Sequence, residues 1–208
     1  MPKLKVLLLT AFLLVAPFCY SAGTTERHLL EQCISYEDLG TAIRYGQSWV
    51  DYPGYADRKA WEERVAPEMK EIIIRNGEKA LTHIWKPDLA SDYLAFKRTG
   101  EIRTGRANHR ALQALTLAEL VEGKGRFMDA IIDGTWFLCE TSWIHSAHLG
   151  FQKDRSGLPD RNEPTIELVV ADIGAQMAWT YYFLKDEFNK TSPLINERIV
   201  EEVNKNLI

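Results

Sequence analysis

From Glu37 onward, apolar positions recur at spacings of three and four and few stretches alternate as strands do, so helices dominate. Asp57 stands where it can cap a helix whose Trp61, Val65, Met69, Ile72 and Ile73 share one face, with Asn76-Gly77 as its natural stop. A short helix is expected over residues 78–84, broken near Lys86-Pro87, and a third over 89–97 before Thr99-Gly100. Ala107, Ala111, Leu112, Leu115, Leu117, Leu120 and Val121 describe a longer helix that Gly123 and Gly125 end, and another follows over 126–138. Residues 141–164 lose the period and carry Gly157, Pro159 and Pro164. A loop of that length in a compact domain is the first place to look for chemistry. Thr165 is placed to cap a mostly buried helix over 166–184, and Ser192-Pro193 opens a last one over 194–207. About seven helices in successive antiparallel pairs give an all-α fold class.

Composition sharpens this. The 208 residues carry 25 Lys+Arg against 29 Asp+Glu, and 46% are apolar. Such a chain suits one globular domain and excludes disorder and coiled coil. The charges are interspersed, so no basic tail offers itself to nucleic acid, and an acidic ligand needs a local basic patch. Lys3 and Lys5 precede an apolar run over residues 6–15, then Pro17 and the small residues Ser21, Ala22 and Gly23, the pattern of a secretory signal peptide over residues 1–21. Residues 22–208 are then expected in the periplasm or outside the cell. That run is shorter than the roughly 20 residues a membrane span needs, and no later stretch qualifies. Cys19 as a lipid-bearing residue is the alternative, with Phe18 arguing against it. Export permits a disulfide between Cys33 and Cys139, whereas the apolar stretch 130–138 ahead of Cys139 favours a buried thiol.

Several residues carry candidate chemistry. His145 and His148 are a closely spaced polar pair beside Trp143 and Trp136, which offer either core or a face for stacking on a sugar. Without a His-Glu-x-x-His helix or a Cys-x-x-Cys, no metal is expected there. Arg103, Arg106 and Arg110 would line one face of a helix, to bind carboxylate or sulfate or to pair with Glu101 or Glu119. Asn108 suits the start of that helix. Glu140 and Asp160 flank the long loop, and an inverting glycosidase pair can be imagined from them.

The run Arg106-Ala-Asn108, then residues 117–127 (LAELVEGKGRF), then Trp136-x-x-Cys-Glu-x-Ser-Trp-x-x-x-Ala-His148, then Leu158-Pro-Asp160 resembles the heparinase II/III-like polysaccharide lyases over roughly residues 50–205. The resemblance implies an incomplete (α/α) toroid of antiparallel helical hairpins and β-elimination on acidic, uronate-containing glycans, heparin-like or alginate-like. It implies substrate-binding roles for Trp143, His145, His148 and Arg106. It places the family's catalytic Asn or His and Tyr beyond the last helix, so residues 22–208 are expected to be the N-terminal part of a truncated toroid. No catalytic residue and no cofactor is then expected in this chain. A carbohydrate-binding helical module without catalysis and a toroid glycoside hydrolase are the alternatives.

Overall fold

The structure, a computed structural model, describes residues 33–42 and 50–207. The expected signal peptide and Cys19 lie outside the described residues. The chain divides into two compact units, residues 1–51 and 52–208. In the first, helix α1 (Tyr36–Ala42) starts at Ser35, whose hydroxyl accepts the Asp38 N–H at 3.1 Å and donates to the Asp38 carboxyl at 2.6 Å.

The described part of the second unit contains helices and no strand. They are α2 (Arg58–Arg64), α3 (Pro67–Ala80), α4 (Ala90–Thr99), α5 (Ala107–Glu122), α6 (Met128–Glu140), α7 (Leu168–Thr191) and α8 (Pro193–Leu207), with a 3-10 helix at Ser146–Phe151. Asp57 caps α2 as its position predicts, accepting the Ala60 N–H at 3.1 Å. The helix expected to run on through Met69 instead breaks at Val65, which is extended, and restarts with Pro67 in its first turn. Proline lacks an N–H and pushes the residue before it out of the helical region, so it can start a helix but not continue one.

Asn76-Gly77 does not stop α3. Gly77 is buried where α3 crosses α5, and a Cβ there would collide with the Ala118 Cβ. The missing side chain permits a close helix approach and serves no turn. The real stops are Gly100 and Gly123, at φ +75° and +65°, in the left-handed region that ends helices. Thr165 is not the cap of the long helix: Glu167 is, accepting from Val169 N–H at 2.9 Å and Val170 N–H at 3.1 Å, and α7 runs on to Thr191.

Packing follows an alternation. Helix α3 lies against α5 and α5 against α7, while α6 lies against α8; α5 also pairs with its successor α6, and α7 with α8. Surrounded on several sides, α5 buries Leu112, Leu115, Ala118, Leu120 and Val121, so its apolar positions are not confined to one stripe. Phe127, Ile131, Met177, Leu184, Phe188 and Ile199 complete the core, each stabilising by about 1.5–3 kcal/mol through burial.

Glu119 is the polar knot of this core. Fully buried on α5, it accepts the Tyr55 O–H and the Gly125 N–H, both at 2.7 Å, and the Phe127 N–H at 3.1 Å. It thus ties the turn between α5 and α6 to the segment before α2. Burial, then the bond to Glu119, push the Tyr55 hydroxyl far above its ordinary pKa. Beside it Arg58 donates to the carbonyls of Leu120 and Val121, satisfying the open end of α5.

Candidate functional site

The end of α3, the segment joining it to α4, the segment ahead of α5 and the loop after α6 enclose two adjoining hollows. The outer groove, about 870 Å³, takes Lys79 from α3, Lys86 from the connecting segment, Arg103 from the loop before α5 and Arg110 from α5 itself. Asp88 and Asp92 are its acidic members. The inner cavity, about 230 Å³, is lined by Tyr93, His109, Glu140, Ser142, Trp143 and His145 among others. The two share Pro87, Asp88, Gly105 and Asn108 as a common wall.

That wall is built before any ligand arrives. The Asn108 amide grips the connecting segment from both sides, its Oδ1 meeting the Lys86 N–H at 3.4 Å and the His83 Nε2 at 2.9 Å while its Nδ2 donates to the Lys86 carbonyl at 2.8 Å. Trp85 lies on Gly134 of α6, where a Cβ would sit 2.6 Å from its Cζ2. His83 packs edge-on to Trp85 with centroids 4.8 Å apart. Asn108 stands at the start of its helix, as its position predicts, and its side chain holds a neighbouring segment. On the other side, the buried hydroxyls of Thr104 and Ser146 meet at 2.8 Å, joining the loop before α5 to the 3-10 helix.

Arg103, Arg106 and Arg110 do not share a helix face. The helix begins only at Ala107, so Arg103 and Arg106 stand in the chain leading into it. Arg103 pairs with Glu101 at 2.7 Å and still borders the groove. Arg106 pairs with Asp172 of α7 at 3.1 Å and lines neither hollow. Its charge is felt nonetheless, since it is among the groups that lower the pKa of His109 and His145, after burial in both.

Trp143 lines the inner cavity but is buried, and its Nε1–H is spent on the Leu138 carbonyl at 2.8 Å. It is a wall of the cavity, whereas Trp136 is exposed on α6 outside both linings. His145 lines the cavity and caps the 3-10 helix, its Nδ1 accepting the Ala147 N–H at 3.3 Å. Burial and the neighbouring His148 hold its pKa below the ordinary histidine value. The neutral ring therefore carries its proton on Nε2, where a hydrogen bond to the Thr104 backbone partly offsets the lowering. His148 faces the other way, its Nδ1 against Glu167 Oε2. Trp143 and His145 are thus brought together in one cavity, whereas His148 and Arg106 lie outside its lining, paired with Glu167 and Asp172.

Sequence reasoning did not find Lys79, Lys86, Asp88 or Tyr93. Burial, helped by Asp88 and Asp92, holds the Tyr93 hydroxyl well above its usual pKa, and it donates to the Ile144 carbonyl at 3.4 Å. Burial also raises the Asp88 carboxyl against a hydrogen bond from the Gly105 backbone that lowers it, with Asp92 raising it further. Glu140 and Asp160 border different cavities, and Glu140 faces Arg198 of α8 at 3.3 Å. Among the described residues no group of three or more His, Cys, Asp or Glu is arranged to hold a metal ion. Cys33 and Cys139 are free thiols, and burial pushes that of Cys139 up to about 12. No described helix is long and apolar enough to cross a membrane.

Compared with known proteins, the chain matches no family model and no curated protein sequence.

Proposed function

We propose that the second unit is the glycan-binding part of a polysaccharide lyase of the heparinase II/III-like type, exported from the cell and acting on uronate-containing chains. The observation that carries the reading is the outer groove: four basic side chains, Lys79, Lys86, Arg103 and Arg110, converge in a protein whose formal net charge is -4. Of these, only Arg103 has an ion pair with a carboxylate among the described residues. A local basic patch in an acidic protein is what an anionic ligand requires, since complementary charge steers and orients it.

Two further features support the reading. The alternating contacts, α3 to α5 to α7 and α6 to α8, support a reading as successive helical hairpins, the unit from which an (α/α) toroid is built. The motifs that resemble the lyases also fall on structural joints: the run 117–127 contains Glu119, and the Trp136–His148 run supplies Trp143 and His145.

The groove binds and orients; proton removal is assigned to none of its residues. A base at neutral pH needs an accessible lone pair and a matched pKa. Burial keeps the Tyr93 hydroxyl protonated, and His145 has committed its lone pair on Nδ1 to Ala147. This reading predicts that the chain alone binds uronate oligosaccharides and releases no unsaturated product. Isothermal titration with acidic oligosaccharides, run beside an ultraviolet assay for the unsaturated sugar, tests this. Saturable binding with flat absorbance is the expected result. Absence of binding would sink the glycan reading, and rising absorbance would require a base within this chain.

A further inference from the structure

The outer groove is edged by aliphatic side chains that the fold does not bury. Ile84, which lines it, is 69% exposed; Leu89, next to the lining residue Asp88, is 57% exposed, and Ile102, next to Arg103, is 55% exposed. Single exposed aliphatic residues are ordinary on a protein surface. Three around one hollow, beside the four cations that line it, are not scattered, and apolar surface rimmed by polar groups marks a place where another surface is met.

The two segments that carry these side chains are held from within. Along residues 83–86, half-buried His83 and Trp85 alternate with exposed Ile84 and Lys86, the two-residue period of an extended chain. His83 is turned to Asn108 and Trp85 lies on Gly134, so Ile84 and Lys86 are directed outward together. In the facing segment the buried Thr104 hydroxyl is bound to that of Ser146, which fixes the chain two residues after Ile102. The acids nearby are spent on the protein itself. Asp92 Oδ2 accepts the Leu89 N–H at 2.9 Å, Asp88 takes a hydrogen bond from the Gly105 backbone, and Glu101 pairs with Arg103 at 2.7 Å. What faces outward is therefore aliphatic and cationic.

We propose that this face of the second unit sits on an anionic phospholipid surface, with Ile84, Leu89 and Ile102 dipping in at the boundary between head groups and acyl chains and Lys79, Lys86, Arg103 and Arg110 meeting the phosphates. Each half alone is weak. A small apolar insertion gives marginal, reversible attachment, and stable association takes that insertion together with a basic patch. An anionic surface strengthens binding by about fivefold for each lysine or arginine brought near it. A soluble polyanion such as a nucleic acid would use the cations and leave the aliphatic side chains in water, so their pairing favours lipid. The inference goes beyond the glycan reading and does not depend on it, because it uses only the charge of the groove and its apolar edge.

Cosedimentation of the full chain with vesicles tests this, using phosphatidylcholine alone and phosphatidylcholine mixed with phosphatidylglycerol in equal parts. The expected result is binding to the mixed vesicles at low salt, little to the neutral ones, and release as salt rises. Leu89→Ser combined with Ile102→Ser keeps every cation of the groove and replaces only exposed side chains, so circular dichroism should match that of the unaltered chain. The pair should weaken binding to the mixed vesicles by roughly tenfold while leaving the affinity for a uronate oligosaccharide unchanged. No association with the mixed vesicles at low salt, equal association with the neutral ones, or association that the two serines leave unaltered would overturn the inference, the last by showing that charge alone holds any polyanion. These outcomes leave the glycan reading to its own titration. Vesicle binding by a chain that takes no oligosaccharide would overturn that reading and leave this one standing.

Discussion

The Glu119 knot and the basic groove are both polar, both built partly on α5, and opposite in how their groups are used. At Glu119 the carboxyl group meets partners supplied by the protein: a tyrosine hydroxyl and two backbone N–H groups. In the groove Lys79, Lys86 and Arg110 make no ion pair with a carboxylate among the described residues, although the chain has more acids than bases. A buried group must be satisfied internally because an unmet one costs its whole desolvation. An exposed cation can wait for a ligand, since water solvates it meanwhile. One region therefore stabilises the fold, and the other is open for binding.

The contrast is broken most severely by Glu119→Ala. It strips the partner from the Gly125 and Phe127 N–H groups and from Tyr55, at about 1–3 kcal/mol for each group left buried and unsatisfied. Denaturant unfolding should show a large drop in midpoint, while protein that remains folded still binds glycan. Gly77→Ala comes next. The new Cβ meets Ala118 of the facing helix, and overpacking of this kind costs about 1–3 kcal/mol. An unfolding midpoint equal to that of the unaltered chain would show that α3 and α5 can separate freely.

A smaller effect belongs to pH. His109 is held neutral in the fold by burial and by Arg106, with a pKa below its ordinary value of 6.5. The unfolded chain therefore takes up more protons there as pH falls, so this residue's contribution to stability is present above the unfolded pKa and declines below it. Stability should fall between about pH 6.5 and the lowered folded value, and His109→Gln should flatten that part of the profile. A profile unchanged by the substitution would mean that His109 is solvated in the fold.

How far the sequence carries one toward this comparison differs between its two sides. Helix ends set by Gly100, Gly123, Asp57 and Pro193 are legible because each has a local mechanism, whether a left-handed φ, a side-chain cap or a missing N–H. Gly77 is misleading for the same reason: in sequence a glycine after asparagine reads as a stop, and only the facing Ala118 shows that it serves packing. The break at Val65 is hidden under a helical period that runs on past Pro67. Trp143 and His145 are reachable because they neighbour each other in the loop.

The groove itself has no linear signature. Lys79 and Lys86 come from one segment and Arg103 and Arg110 from another, and it is the Asn108 grip on the Lys86 backbone that joins them. The three arginines at helical spacing misdirect, because the helix starts after Arg106 and sends that residue to Asp172. Charge complementarity is a property of folded surfaces, and it became visible only when the two segments met.

The most direct test of the groove's role is the affinity for a uronate oligosaccharide of the chain carrying Lys86→Glu and Arg110→Glu, measured at low and at high salt beside the unaltered chain. Both substitutions are at exposed positions and should alter stability by no more than about 0.5 kcal/mol. The account predicts at least about a tenfold loss of binding for each reversed charge at low salt, and convergence of the two proteins as salt screens the groove. Equal affinities at low salt, with both proteins folded, would contradict it.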